Sequence, residues 1–285
     1  MKVRILVNAN AKAVVKEKVS VGYLKRFLSE HVTMRITQSV EEIDEAVEEC
    51  WDHDPDLVLL ATGDGGLHRF LSSFVRTYQS RHLEDGSSKR LPLFATLRSG
   101  TANLITGILG CKGKPVEAIQ RLFQRVQDTR VEELPRIKQK LLSVSDGIQE
   151  RFGFIGGSGL LYNFFQEYYE GSRHSLTKFF KILSRMVLSL FTTGGYLNSL
   201  FSSMEARIQL DEKRERLNRW KMMAVSSIDT KVVFFRAFKV RDLVDRIHIK
   251  AGNPSRLAII RNIPNLLFNR TLKGRQLLDL SLIHI

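Results

Sequence analysis

The sequence has few of the residues that define several common classes of protein. It carries two cysteines among 285 residues, Cys50 and Cys111, and neither belongs to a CxxC pair. This count excludes a zinc-finger or disulfide scaffold, so we expect two reduced thiols in a cytosolic protein. No internal repeat and no low-complexity linker divides the chain.

Long hydrophobic runs are also missing. The most apolar long stretch, residues 179–191, is interrupted by Lys181 and Arg185, so it is too short and too charged to cross a bilayer. Met1-Lys2 leads directly into a predicted strand, and no signal peptide is visible. We therefore expect a cytoplasmic protein.

Acidic residues are outnumbered by basic ones. The chain has 44 Lys and Arg against 30 Asp and Glu, a formal net charge of +14. This excess favours an anionic partner, namely a nucleotide, a nucleic acid or an acidic membrane surface, although it can also serve solubility alone. Nucleic acid is not the expected partner, because the chain has no motif of the usual nucleic-acid-binding modules.

Residues 57–75 predict a strand, a glycine-rich turn and a helix. The apolar run 57–61 suits a strand that is buried on both faces, and apolar residues from Leu67 onward recur at helical spacing. The turn between them, 62–66, would place free backbone N–H groups and a helix N-terminus at one point, as a phosphate site requires. Asp64 within it could handle a metal ion or accept a proton. An ordinary turn remains the alternative.

Four predicted strands, at 3–7, 32–36, 57–61 and 91–97, each end in residues that can contact a ligand. Strands and helices alternate up to about residue 130, which predicts an α/β fold with a doubly wound, mostly parallel sheet. Ligands bind such sheets at the carboxyl ends of the strands. The residues expected to converge there are Asn8, Thr37, Gly63, Asp64, Gly65, Gly66, Ser99, Gly100 and Thr101.

Local signals predict where some helices begin and end. Ser39 followed by Glu42 reads as a capping box, and Pro115 suits the first turn of a helix. Residues 79–90 are polar and read as a loop after the helix of the glycine-rich turn.

The pattern changes in the second half of the chain. Asp146-Gly147 signals a hairpin, and residues 204–211 alternate between apolar and polar as a half-buried strand does. We expect a nucleotide-binding α/β domain over 1–133 and a mostly antiparallel, sandwich-like β domain over 134–285. The latter includes a Phe-rich helical insert with interspersed cations, which either touches lipid or packs on the β domain.

Two motifs in order, ATGDGGLHRFL at 61–71 and SGTAN at 99–103, resemble the diacylglycerol kinase catalytic-domain family. That family includes sphingosine and ceramide kinases and is distantly related to NAD kinases. The resemblance implies a lipid kinase that uses ATP and Mg²⁺. It also implies a lipid substrate at a membrane surface and a cytoplasmic enzyme peripheral to that membrane. It identifies neither the lipid nor the oligomeric state.

The resemblance also implies roles for individual residues. Asp64 would be the catalytic carboxylate, acting on Mg²⁺ or on the lipid hydroxyl, and no other metal ligand is assigned. Asn8 would support the phosphate cradle, and Thr37 would touch ATP. The remaining nucleotide-binding residues would be Gly63, Gly65, Gly66, Ser99, Gly100 and Thr101.

The sequence departs from the family pattern at several positions. Thr62 stands in place of Gly, Arg69 in place of Glu, Arg98 in place of Pro and Leu104 in place of Asp. Arg69 and Arg98 would add positive charge beside the cradle. The family's Asp-Gly-Glu is missing after residue 200, so either the sequence is truncated or the protein lacks that group. A catalytically decayed relative and an NAD kinase-like enzyme therefore remain alternatives, although the Phe-rich insert argues against the latter.

Overall fold

A four-stranded parallel sheet forms the centre of the N-terminal part of the computed structural model. Its strands run in the order β2-β1-β3-β4, and neighbouring strands are parallel. Every residue of β3 is buried, as its apolar sequence predicts. The strands are β1 (Val3–Asn8), β2 (Val32–Thr37), β3 (Leu57–Ala61) and β4 (Leu93–Thr96).

The structure describes most of the N-terminal part and less of the C-terminal part. The described residues are 1–16, 20–86, 89–100, 103–109, 113–128, 130–145, 147–171, 175–189, 191, 195–200, 202–206, 209–210, 213–214, 218–228, 230–232, 235–238, 247–253, 255, 258, 261–262 and 277–282.

Helices cover both faces of the parallel sheet. Ile5 and Leu59 point to the face that packs against α1, α2 and α6, in a core that includes Phe123. Leu6 and Leu60 point to the opposite face, towards α3 and α4. The predicted doubly wound α/β fold is therefore confirmed. The helices are α1 (Lys12–Val15), α2 (Val21–Leu24), α3 (Val40–His53), α4 (Asp64–Asp85), α5 (Leu104–Ile108) and α6 (Pro115–Asp128).

The capping signals are confirmed with one difference. Ser39 Oγ accepts a hydrogen bond from the backbone N–H of Glu42 at 3.2 Å. The Glu42 carboxylate accepts from the N–H of Gln38 at 2.7 Å rather than from the cap residue itself. Pro115 begins α6, where its missing N–H costs nothing.

The predicted polar loop at 79–90 is wrong for residues 79–85, because α4 continues to Asp85 and its C-cap is Gly86, whose φ is +61°. The polar residues in these turns form contacts on the helix surface. Arg81 pairs with Glu48 of α3 at 3.1 Å. Polar composition therefore marked the solvent side of a long helix, not its end.

A β-hairpin follows the α/β layers. β5 (Leu142–Ser145) and β6 (Glu150–Gly153) pair antiparallel, as predicted, although the connection is longer than the Asp146-Gly147 turn expected. The Ser72 hydroxyl of α4 donates to Phe152 O at 2.6 Å and accepts from Phe152 N at 2.9 Å. The chain divides into compact units Met1–Gly153 and Phe154–Ile285, later than the predicted boundary at 133/134, because this hairpin packs on α4.

The C-terminal unit combines antiparallel sheets with a helical insert. Its largest sheet has the order β16-β15-β12-β7, and all its pairs are antiparallel, which confirms the predicted fold class. The alternating stretch 204–211 contains two short strands. The strands are β7 (Ile155–Gly159), β8 (Met204–Ala206), β9 (Gln209–Leu210), β10 (Lys213–Arg214), β11 (Asn218–Trp220), β12 (Met222–Ser226), β13 (Thr230–Val232), β14 (Phe235–Phe238), β15 (Ile247–Gly252) and β16 (Leu277–Leu282).

Three helices form the insert of the C-terminal unit. They are α7 (Leu160–Tyr169), α8 (Leu176–Ser189) and α9 (Gly195–Leu200). Phe164 and Tyr168 of α7 pack against Ile182 of α8 in a buried cluster, so one side of the insert is a small core of its own. Among the described residues, no helix is both long and apolar enough to cross a membrane.

Candidate functional site

The strand order of the parallel sheet defines where a ligand would bind. The chain passes from β1 outward to β2 and then back past β1 to β3, so the order of winding reverses between β1 and β3. In such sheets the binding crevice lies outside the carboxyl ends of the strands at this reversal. Asn8 ends β1 and Thr62 follows β3, and Asn8 Nδ2 donates to Thr62 Oγ1 at 3.4 Å. The two strand ends therefore meet there.

The two glycine-bearing turns touch through their backbones. A Cβ added to Gly100 would lie 2.6 Å from Gly63 Cα and 3.5 Å from the Asp64 backbone N. A Cβ added to Gly63 would lie 3.1 Å from Gly100 Cα. Since the obstacle is backbone on both sides, no side chain can turn away to make room. The turn after β3 and the turn after β4 therefore form one surface, as the sequence predicts.

Asn103 shapes the second turn. Its Oδ1 accepts from Gly100 N at 2.7 Å, its Nδ2 donates to Gly100 O at 2.9 Å, and its φ of +49° is left-handed. Asn tolerates this conformation better than most residues. The amide of Asn103 thus holds Gly100 against Gly63, a role that the sequence reasoning missed. Thr101 lies outside the described residues, and its predicted contact with a nucleotide stays a prediction.

The first turn of α4 is exposed to solvent at Gly65. Its N-cap, Gly63, has no side chain to bond the N–H groups that follow, and Gly65 is exposed with nothing within 4 Å of an added Cβ. On the other side of this turn, a Cβ at Gly66 would overlap Thr62 Oγ1. A helix N-terminus with an uncapped first turn attracts anions, because its N–H groups carry partial positive charge.

Asp64 connects the two helices of the site. Its Oδ1 accepts a hydrogen bond from the backbone N–H of Ile105 at 3.0 Å, in the first turn of α5. A carboxylate in this position caps a helix that lacks a side-chain cap of its own. The half-buried Asp64 is therefore held beside both glycine turns, and its catalytic role stays a prediction.

The other predicted residues sit in the walls of the site. Thr37 is buried, and its carbonyl accepts from Ala9 N at 2.9 Å, beside Asn8. Ser99 is fully buried, and its Oγ has no hydrogen-bond partner among the described residues. The Ser99 carbonyl accepts from Ala13 N at 2.9 Å, which ties the second turn to α1.

A small cavity lies behind this surface. Its volume of about 20 Å³ has room for about one water and is far too small for a nucleotide. A nucleotide would therefore rest outside it, over the exposed first turn of α4. The cavity is lined by Leu6, Asn8, Thr37, Ile43, Ala46, Leu60, Thr62, Gly66 and Phe70.

The two arginines that depart from the family pattern have different surroundings. Arg69 forms an ion pair with Asp44 of α3. The positive charge that Arg69 was expected to add beside the cradle is thus paired with a carboxylate of α3. The Arg98 side chain, beside the second turn, is exposed.

His68 is a further neighbour of the site. It stands one helical turn after Asp64, and its imidazole ring packs on Gly153 of β6, 3.5 Å from the position of an added Cβ. Burial lowers the pKa of His68, and the nearby Asp64 carboxylate opposes this shift without cancelling it. Burial therefore favours the neutral form of the imidazole.

The described residues fit a phosphate better than a preformed metal centre. The touching glycine turns and the uncapped helix form a cradle that side chains would fill. No group of three or more His, Cys, Asp or Glu in the described part of the chain could hold a metal ion. Mg²⁺ commonly binds through one or two carboxylates together with substrate phosphates. Asp64 is the carboxylate available for this arrangement.

Comparisons with known proteins found one family model that matches part of the chain. The family model of the diacylglycerol kinase catalytic domain matches residues 2–132. A comparison with curated proteins found no significant match.

Two solved structures from Bacillus anthracis str. Sterne resemble the whole chain. A candidate diacylglycerol kinase is 16% identical, with a TM-score of 0.65. A second structure, of a diacylglycerol kinase, is 13% identical, with a TM-score of 0.59. In both comparisons the match covers 98% of this chain and 83% of the other, and at such identities it shows the fold alone. Residues 2–132 of this chain are thus similar to the diacylglycerol kinase catalytic-domain family.

Proposed function

We propose that this protein is an ATP-dependent lipid kinase that transfers the γ-phosphate of ATP to the hydroxyl of a diacylglycerol- or sphingoid-type lipid. The observation that carries the proposal is the backbone contact between Gly63 and Gly100 at the carboxyl edge of the sheet. This contact creates a surface without side chains beside a helix N-terminus, which suits a triphosphate. The match of residues 2–132 to the model of the diacylglycerol kinase catalytic domain supports the same reaction.

Each residue of the site would have a separate role in binding ATP or in phosphoryl transfer. The exposed first turn of α4 would bind the phosphates through backbone N–H groups, and Asn103 would keep the second turn in place. The Asp64 carboxylate, oriented by Ile105 N–H, would accept the proton of the lipid hydroxyl or help to hold Mg²⁺. Mg²⁺, when bound, would neutralise charge on the transferring phosphoryl group. Catalysis would otherwise rest on positioning.

We further propose that the enzyme works in the cytoplasm, at the surface of the membrane that contains its lipid substrate. The test combines radiolabelled ATP, Mg²⁺ and vesicles of mixed lipids, and measures label in the organic phase. Wild type should transfer label, and Asp64→Asn should lower the rate by about 10²–10⁴-fold, the range of a general base. Asn can still accept from Ile105 N–H, so this variant removes charge and keeps the helix contact.

Asp52→Asn is the matched control, because Asp52 is an exposed carboxylate of α3 away from the strand ends. It should behave as wild type. If wild type transfers no label to any lipid, the lipid kinase proposal is refuted. Phosphorylated NAD in place of phosphorylated lipid would assign an NAD kinase-like activity.

A second candidate is a nucleotide-binding relative without catalysis. One observation favours it: Asp64 and Arg69 both take part in structural contacts, one with α5 and the other with α3. Binding of ATP without transfer of label, and equal ATP affinity of wild type and Asp64→Asn, would support this candidate.

A further inference from the structure

Helix α8 carries large apolar side chains on its exposed side as well as on its buried side. Ile182 is buried in the cluster with α7, and Phe179 packs on the same cluster. The residues on the opposite side recur at helical spacing and are exposed: Thr177, Phe180, Lys181, Ser184, Arg185 and Leu188. We call the last five of these, together with Phe191 just beyond the helix, the outer α8 face. The solvent side of a helix is normally polar, whereas this one carries large apolar groups.

The apolar members of the outer α8 face are well exposed. Phe180 is 40% exposed, Leu188 is 65% exposed and Phe191 is 70% exposed. Helix α7 beside it shows the same feature, since Tyr162, Phe165 and Tyr169 are exposed at helical spacing. Phe and Tyr side chains on the outside of adjacent helices are typical of segments that lie in a lipid–water interface.

The charges of the outer α8 face are all positive. Residues 176–189 contain three cations, Lys178, Lys181 and Arg185, and no Asp or Glu. Lys181 is exposed, and none of the described carboxylates pairs with it. The Arg185 guanidinium forms an ion pair with Glu167 at 2.9 Å and lies 4.3 Å from the centroid of the Tyr196 ring. The aliphatic part of its side chain therefore lies along the protein surface. Long cationic side chains can extend to headgroups while their stems cover apolar surface.

We propose that the outer α8 face is a docking surface for an anionic phospholipid bilayer. The proposal deepens the proposed function and rests on it, since it names the surface by which a lipid kinase would reach its substrate. The positive charge of the outer α8 face favours an anionic bilayer over a second copy of this chain as the partner that covers it. Two copies joined by this face would bring Lys181 of one copy near the cations of the other, whereas anionic headgroups complement them.

The test measures co-sedimentation with vesicles of phosphatidylcholine alone and of phosphatidylcholine with about 30% phosphatidylglycerol. Wild type should prefer the anionic vesicles, and binding should fall as salt rises, because the Debye length shrinks from about 10 Å at 0.1 M to about 3 Å at 1 M. The variant Phe180→Ser with Leu188→Ser should bind at least about tenfold more weakly, since each side chain loses apolar burial. Lys181→Glu should weaken binding to anionic vesicles only.

Matched controls use apolar residues exposed elsewhere. Leu83→Ser on α4 changes a residue that is 84% exposed, and Ile148→Ser changes one that is 97% exposed. Both should bind vesicles as wild type does. All these positions are exposed, so each variant should keep the far-UV circular dichroism of wild type.

Three results would overturn the proposal. The first is equal binding of wild type to neutral and anionic vesicles, and the second is a loss of vesicle binding in the control variants as large as that in the variant of Phe180 and Leu188. The third is a concentration-dependent dimer that dissociates when Phe180 and Leu188 are changed. Kinase activity is measured separately on lipid dispersed in detergent, where docking to a bilayer is not needed. Vesicle binding without activity there would count against the proposed function alone. Activity there without vesicle binding would count against the docking surface alone.

Discussion

A single methyl group at Gly100 should disrupt the candidate site. The Cβ of Gly100→Ala would lie 2.6 Å from Gly63 Cα, whereas carbon atoms in contact prefer about 3.5–4.0 Å. The two turns must therefore separate by about 1 Å. The obstacle is backbone, so rotation of a side chain cannot relieve it. Overpacking of this kind costs about 1–3 kcal/mol of stability.

The separation should affect binding and activity more than folding. The groups that would hold the phosphates lie on both turns, and a misplacement of about 1 Å in a catalytic site can cost about 10²-fold in rate. We expect Gly100→Ala to lower ATP affinity, measured by isothermal titration calorimetry, and to lower the kinase rate by about that factor. The melting temperature should fall by only a few degrees.

Gly107→Ala is the matched control for this experiment. Gly107 lies in α5, close to the second turn, and a Cβ there would meet nothing within 4 Å. Its variant should bind ATP as wild type does and should be as stable or slightly more so, because Ala is the better helix former. If Gly100→Ala keeps both the ATP affinity and the rate of this control, the contact between the turns does not form the binding surface.

Three further predictions concern buried groups. Ser72→Ala should lower the free energy of unfolding in urea by about 1–3 kcal/mol, because both the N–H and the carbonyl of Phe152 lose their partner; an unchanged midpoint would contradict this. Burial raises the pKa of Cys50 to about 12, so its thiol stays protonated and unreactive at pH 8. In the variant Cys111→Ser, which retains Cys50 alone, iodoacetamide should label the protein only after urea is added. Rapid labelling in buffer would contradict this. Burial lowers the pKa of His68, so the neutral imidazole contributes to stability above about pH 6.5, and this contribution is lost as the pH falls through the lower folded-state pKa. His68→Gln should therefore reduce the fall in melting temperature at acid pH. An unchanged dependence of the melting temperature on pH would refute this.

Elements whose signals are local could be predicted from the chain alone. The apolar run of β3, the Ser39 cap and the start of α6 at Pro115 depend on residues a few positions apart, which any reader of the sequence can combine. The end of α4 could not be predicted in this way. Its last turns are polar, and their contact with Glu48 of α3 is not visible in a local pattern.

The candidate site depends on contacts between distant parts of the chain. Sequence motifs indicated both glycine turns, but the contact of Gly63 with Gly100 follows from β3 and β4 being neighbours in the sheet. The hydrogen bond from Ile105 to Asp64 and the pairing of Arg69 with Asp44 likewise exist only once helices pack. Residue types and spacing therefore identify the chemistry that a turn can offer. Strand order and helix packing decide which of those groups meet and which are already engaged, because hydrogen bonds and ion pairs act over a few ångströms whatever the separation along the chain.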